Sequence, residues 1–459
     1  AILLAFVLHQ RRHFITIMGR KRRKAPPKKP LLDPELPVHL ESMGFNRKHA
    51  TRIWHYLFAH PEVEDLRGLP ELPKSLREIL QDQYCTCTSI ARREFRSSDG
   101  TIKILVRLHD GYEVESVIIN QGGEGEFSGV QRQRMKHGAT LCVSSQVGCR
   151  MACKFCATGT LGLDGDLASH EILEQLLLAR RARSDIKHIV FMGMGEPLDN
   201  FDAVVAAVRL MTSDAPTFGL GARPITVSTV SPTPRAIGKL IDAGLAGHAR
   251  LAVSLHAPSQ HLREEIVPTA NGNPLTDLMA QIDAYYETAR HVSRKARVEK
   301  ICIEYCLLDG VNDTEECAIE LGKLLEPRAN YLLVNLIPYN SVQGAPYGAP
   351  SADAVQRFHE VVTDHGVQSH VRRQLGDDIA AACGQLARDE REQADIEEAS
   401  ASHRCSSSAV AAATSAAVYA TEGSLHFQMA WVCGTVICLG LVTLLAFRVV
   451  QPRRNCVAL

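Results

Sequence analysis

The sequence predicts an α/β protein, an incomplete (β/α)6 barrel behind a small N-terminal helical accessory domain. Three observations predict it. From Ala139 onward, strand-like and helix-like runs alternate through six repeats, the pattern of a parallel sheet wrapped by helices. Before that, the short runs between Pro37 and Arg93 carry helical periodicity. Near the end, "MAWVCGTVICLGLVTLLAF" (Met429 to Phe447) is a charge-free run of nineteen residues, long enough to span a bilayer as a transmembrane helix.

Composition narrows the function classes. The chain has 459 residues, 45% hydrophobic and 22% charged, as expected of a folded enzyme with two or three domains. Its net charge is zero, which excludes a global field for nucleic acid and makes any basic footprint local. Fourteen cysteines without dense, even spacing exclude a small secreted disulfide scaffold. They read as metal ligands, redox thiols and core fillers in a reducing compartment.

In chain order, residues 1–36 form a basic segment. No acidic residue precedes Asp33, and "GRKRRKAPPKKP" (Gly19 to Pro30) sets seven Lys/Arg in twelve positions. It reads as a disordered tail, an organellar transit segment or an RNA-contacting arm. Residues 37–95 make the accessory domain, with "NRKHATRIWHYLFAH" its clearest amphipathic helix. In 96–138, "TIKILVRLHDGYEVESVII" reads as two strands joined through Asp110-Gly111, and a Gly-rich, basic-ended inserted loop follows.

Residues 139–387 hold the barrel. Its strands are "ATLCVSS", "IKHIVFMG", "PITVST", "ARLAVSLHA", "EKICIEYCLL" and "YLLVNLIPY". Its helices include "SHEILEQLLLARRAR", "DAVVAAVRLM", "PRAIGKLIDAG", "LMAQIDAYYETARHV", "EECAIELGKLL" and "SADAVQRFHEVVTDHG", with a short "QSHVRRQ" after the last. An open doubly wound sheet is the alternative. Active residues belong where strands end and loops begin. Residues 388–424 are an Ala/Ser/Glu-rich linker, and 425–450 are the apolar segment, a membrane anchor or a spurious gene end.

"CRMACKFCATG" carries the chemistry. Cys149, Cys153 and Cys156 stand in a C-x3-C-x2-C loop after the first barrel strand. Three thiolates at that spacing hold three irons of a [4Fe-4S] cubane and leave the fourth open to an exchangeable molecule. A zinc ribbon needs a second CxxC, and none follows.

This spacing resembles the radical S-adenosylmethionine superfamily, in which the open iron chelates the cofactor's amino and carboxylate groups. The resemblance implies that Gly195 and Glu196, in "FMGMGEPLDN", lie against the methionine amino group. Read alone, that segment is a strand-to-helix turn. Ser228 in "TVSTV", Ser254, Leu255 and His256 in "VSLHAP", and Asn340 in "LIPYN" hold similar strand-end positions. His256 in isolation reads as a satisfied structural histidine.

Longer stretches narrow the resemblance. "LCVSSQVGCRMACKFCATG", "LAVSLHAP", "LREEIVP", "NLIPYN", "GAPYG" and "GDDIAAACGQL" together look like the RNA adenine-C2 methyltransferases, over roughly Pro37 to Leu386. The resemblance implies a methyl-carrying Cys383, a resolving Cys142 and a proton-accepting Glu115. It implies two S-adenosylmethionine molecules per turnover, a transient covalent RNA adduct and release by disulfide formation. Without the resemblance, Cys142 reads as a core strand cysteine, Cys383 as a helix-start residue and Glu115 as a surface strand carboxylate. Cys302, Cys306 and Cys317 read as core.

The implied partners are large-subunit rRNA and tRNA, and an electron donor such as flavodoxin or ferredoxin. The expected state is a monomer in a reducing compartment, cytoplasmic or organellar (mitochondrion or plastid), with membrane association only through the apolar segment. A C8-adenine methyltransferase of the same superfamily, sharing the cluster and both cysteines, and an inactive cluster-bearing RNA-binding protein are the alternatives.

Overall fold

One ten-stranded sheet organises the protein, a parallel run of strands extended at one edge by antiparallel ones. The computed structural model describes residues 23–65, 71–120, 138–212, 216–220, 224–292, 300–342 and 344–386, all within the compact unit Ala1–Asp389. The basic segment before Arg23, the inserted loop 121–137, the linker and the apolar segment 425–450 lie outside the described residues. Among the described residues, no helix is long and apolar enough to cross a membrane.

The basic segment is not disordered throughout. Strand β1 (Lys29–Pro30) pairs in parallel with β2 (Tyr84–Cys85), and between them lie α1 (Leu36–Ser42), α2 (Lys48–Ala59) and α3 (Lys74–Gln83). Leu31 and Leu32 are fully buried with Leu36, Leu40, Ile53 and Leu57, and Trp54 Nε1 donates to the Leu31 carbonyl at 2.7 Å. The Arg23 guanidinium is held between Asp110 at 2.7 Å and Glu171 at 2.6 Å. High charge density hid the two leucines that anchor this stretch.

The segment expected to be helical up to residue 95 ends instead in a strand. Strand β3 (Ile90–Arg96) pairs antiparallel with β4 (Ile102–Arg107), and β4 with β5 (Glu113–Ile119). β3 is a sheet edge exposed almost throughout, so no apolar alternation announced it. The hairpin is not a separate unit. β5 pairs with β6 (Ala139–Cys142), which makes β3, β4 and β5 an antiparallel extension of the main sheet.

Beyond β6, a separate antiparallel pair, β7 (Gln146–Cys149) and β8 (Gly162–Asp166), frames the cysteine loop and the short α4 (Ala157–Thr160). The parallel part continues through β9 (Ile186–Phe191), β10 (Ile225–Thr229), β11 (Arg250–Ser254), β12 (Ile301–Leu307), β13 (Leu332–Pro338) and β14 (Ser369–Val371). β14, from "QSHVRRQ", adds a seventh parallel strand to the six expected.

The intervening helices are α5 (Ser169–Ala182), α6 (Phe201–Thr212), α7 (Ala236–Asp242), α8 (Gln260–Ile266), α9 (Leu275–Val292), α10 (Glu315–Leu325) and α11 (Ala352–Asp364). Their apolar stripes, such as Ile172, Leu173, Leu176 and Leu177 of α5, close over the sheet. One buried polar group ties the β2–β3 connection to the barrel. The Glu174 carboxylate of α5 accepts from Thr88 N and Oγ1 and from Ser89 N and Oγ, at 2.5 to 3.0 Å.

Buried parallel strands are usually apolar on both faces. Here one face carries a polar row, because Ser254, Glu304 and Asn335 are register partners on β11, β12 and β13. Asn335 Nδ2 donates to Glu304 Oε2 at 2.7 Å. The site opens on this row.

Candidate active site

Backbone geometry shapes the cysteine loop. Gly148 has φ +78, and a Cβ there would stand 2.0 Å from the Gly162 carbonyl oxygen, so the β7–β8 pair closes only on glycine. Cys149 ends β7, so it sits on a strand rather than on the loop itself. Cys156 N donates to the Cys153 carbonyl at 3.1 Å, and Lys154 N to Ile266 O at 3.0 Å. Ala157 N donates to Gly384 O at 2.7 Å, which joins the loop to the segment bearing Cys383.

Cys149, Cys153 and Cys156 line one cavity of about 140 Å³ at the strand ends, and Cys383 lines it too. Burial pushes all three loop thiols up, and negative charge on the neighbouring thiols pushes further. Buried thiolates that repel one another need positive charge between them, which suits a metal cluster. Among the described residues, no His/Cys/Asp/Glu group is gathered tightly enough to hold a single metal ion. A cubane has no such need, because each thiolate binds a different iron.

Gly195, Glu196, Ser228, Ser254 and His256 line the same cavity. Gly195 has φ +99, and a Cβ there would meet Gln146 Cβ at 2.6 Å. The buried Glu196 accepts from Thr229 Oγ1 at 2.6 Å, Leu198 N at 2.9 Å and Val230 N at 3.0 Å. Burial pushes its carboxyl up to about 7 despite these bonds. It therefore braces the ends of β9 and β10 as well as facing the cavity. Ser228 Oγ and Ser254 Oγ stand 3.4 Å apart.

His256 sits at φ +60, and its Nδ1 accepts from Cys306 N at 3.0 Å, leaving Nε2 as the donor. Burial lowers it to about 3, so it is neutral. Leu255 is different. Its side chain is fully buried in the main core and is not part of the cavity wall. Asn340 lines a smaller adjoining cleft with Cys383 and Arg372. Its Nδ2 donates to Cys383 O at 3.4 Å, and its buried Oδ1 has no hydrogen-bond partner among the described residues.

Cys142 lies within electrostatic reach of Cys383, and neither Cys142 nor Glu115 lines the cavity or the adjoining cleft. Cys142 is buried on β6, and its thiol is pushed up to about 12 by burial and by Cys383, against a downward pull from Arg372. Val117 faces Cys142 across the β5–β6 pair, and Glu115 is two residues from Val117. All three therefore share a face of the sheet. Glu115 is not a surface carboxylate. It is 1% exposed, with Lys103 Nζ 3.4 Å from its Oε1.

Two features of the site escaped the sequence. Cys306, expected in the core, lines the cavity with the loop cysteines and Cys383. Arg372, just past β14, donates from Nη1 to Cys383 Sγ at 3.4 Å. The arginine pair in a strand-end "VRRQ" was the only available sign. Glu304, also in the cavity wall, was visible as a single carboxylate in the otherwise apolar "ICIEYCLL".

Comparison with known proteins agrees with this arrangement. Residues 143–321 match the Radical SAM superfamily. The chain is 39% identical over 356 residues to a probable dual-specificity RNA methyltransferase RlmN of Rhodopirellula baltica, covering 77% of this chain and 88% of that one. It is 39% identical over 372 residues to the dual-specificity RNA methyltransferase RlmN of Halorhodospira halophila, covering 80% and 96%. A solved radical SAM methyltransferase from Sphaerobacter thermophilus superposes with a TM-score of 0.66 at 36% identity, covering 78% of this chain and 99% of that one.

Proposed function

This chain belongs to the RlmN-type family of radical S-adenosylmethionine RNA methyltransferases, and from that premise we propose that it methylates carbon 2 of an adenosine in RNA. Large-subunit rRNA and tRNA are the proposed substrates. One observation carries the reading: Cys383 shares a cavity with the three loop cysteines, and Cys142 lies within its electrostatic reach.

Carbon 2 of adenine is flanked by two ring nitrogens and is electron-poor, so it does not attack a methyl sulfonium as a nucleophile. The methyl needs a carrier. Cys149, Cys153 and Cys156 would hold the [4Fe-4S] cluster, and Gly195, Glu196, Ser228, Ser254 and His256 would surround the cofactor. The bound pair supplies one-electron reduction and hydrogen-atom abstraction, with a flavodoxin- or ferredoxin-class protein as the electron source. Asn340 holds the Cys383 carbonyl from the adjoining cleft.

The chain's own residues then do the following. Cys383 Sγ carries the methyl-derived carbon, which becomes bonded to carbon 2 of a base extruded into the barrel mouth. Glu115 takes the ring proton. Cys142 attacks Cys383 Sγ, and a disulfide forms as the sulfur–carbon bond breaks and releases the methylated RNA. One S-adenosylmethionine provides the methyl and a second the radical. An external reductant restores both thiols.

The test uses reconstituted protein, RNA and methyl-labelled cofactor under anaerobic conditions, followed by nucleoside and peptide mass spectrometry. Label on Cys383 and in 2-methyladenosine is expected. Label in 8-methyladenosine would replace the regiochemistry, and label in neither RNA nor Cys383 would defeat the reading.

A further inference from the structure

A half-buried arginine ordinarily pairs with a carboxylate, because a partly desolvated charge without a partner is costly. Arg372 does not. Among the described residues, no carboxylate stands within ion-pair distance of it, and its one side-chain partner is Cys383 Sγ at 3.4 Å. The nearby acid is already engaged: Glu304 accepts from Asn335 Nδ2 at 2.7 Å and from Cys302 Sγ at 3.2 Å. Arg372 is also fixed in place. Its backbone N donates to Leu336 O at 2.8 Å, just past β14, and it lines the cleft shared with Asn340 and Cys383.

Resting on the function proposed above, we infer that Arg372 is the positioning residue for the sulfur chemistry, holding Cys383 Sγ toward Cys142 and stabilising negative charge on both sulfurs. The Arg372 Nη1–H donates to the sulfur that accepts the methyl group, and sets a positive charge where that sulfur reacts. In the release step, the Cys142 thiolate bonds to Cys383 Sγ as the Sγ–carbon bond breaks. The carbon leaves with that electron pair and takes a proton from solvent. The two sulfurs are thereby oxidised together, and an external dithiol later reduces them. Through both steps the guanidinium stays beside the sulfur whose charge changes.

The electrostatics agree. The charge on Cys383 is the largest influence raising Arg372, followed, after the opposing effect of burial, by Glu304 and Cys142. Cys302, on β12, is pushed up by burial and by Glu304, with Arg372 pulling the other way. The cation thus faces the thiols of β6, β12 and the Cys383 loop together with the Glu304 carboxylate.

The test is iodoacetamide alkylation of Cys383 in the cluster-loaded full chain with that thiol free, read by peptide mass spectrometry. Arg372→Met should slow alkylation of Cys383 by about tenfold or more, whereas Arg372→Lys should stay within about threefold of wild type. Wild-type rates in Arg372→Met, or equal slowing in both variants, would overturn the role, the latter marking a merely structural side chain. The function itself fails by a separate sign, namely wild-type protein that transfers no methyl to Cys383.

Discussion

Replacing Glu196 with glutamine should alter how stability depends on pH. The Glu196 carboxyl is 3% exposed, and burial, the largest influence, pushes it up to about 7 from an ordinary 4.5, against hydrogen bonds from Thr229, Leu198 and Val230. The folded protein therefore binds this proton more tightly than the unfolded chain. The contribution is fully present below the unfolded value and is lost as pH rises through the folded one. A displacement from 4.5 to about 7 corresponds to about 3 kcal/mol, lost progressively between those two pH values. Glu196→Gln cannot titrate. Denaturant unfolding of cluster-free wild type and variant across that range isolates the group, because every other titration is common to both. Wild type should lose about 3 kcal/mol relative to the variant as pH rises. Parallel stability curves would show that Glu196 is ionised throughout and refute the reasoning.

Three further outcomes follow from the geometry. If Glu196 meets the cofactor's ammonium, S-adenosylmethionine affinity measured by calorimetry should rise with pH through about 7 in wild type and stay flat in Glu196→Gln. Glu174→Ala leaves the Thr88 and Ser89 donors unsatisfied and should cost about 3–5 kcal/mol in denaturant unfolding; a loss under about 1 kcal/mol would contradict the buried clamp. Gly148→Ala forces a Cβ against the Gly162 carbonyl at positive φ, and should cost about 2–4 kcal/mol and lower the iron bound after reconstitution. Unchanged stability and iron content would refute that constraint.

Six of the parallel strands were legible because each is a short β-branched or apolar run bounded by turn residues, as in "PITVST" and "EKICIEYCLL", whereas the three residues of β14 are too few and too polar to show one. β3 was not, because an edge strand bearing Arg92, Arg93 and Arg96 buries too little to show a period. The cysteine loop announced itself by spacing, since three ligands in eight residues need no tertiary contact to be recognised. Other parts of the site depend on meetings between distant segments. Cys306 alternates in β12 as a core residue would, and only the incoming loops turn its position into a cavity wall. Arg372 and Cys383 are eleven residues apart, and their contact depends on the turn through Gly376 and Ala380, both at positive φ. Glu115 looked exposed because its neutralising partner, Lys103, belongs to the adjacent strand.

The central claim is that Cys383 and Cys142 act in sequence on one carbon. Cys142→Ala, reconstituted and supplied with RNA and S-adenosylmethionine without oxygen, tests it most directly. The account predicts RNA bonded to the Cys383 peptide through one added carbon, and no such adduct in Cys383→Ala. Free methylated RNA released at the wild-type rate from Cys142→Ala would contradict it.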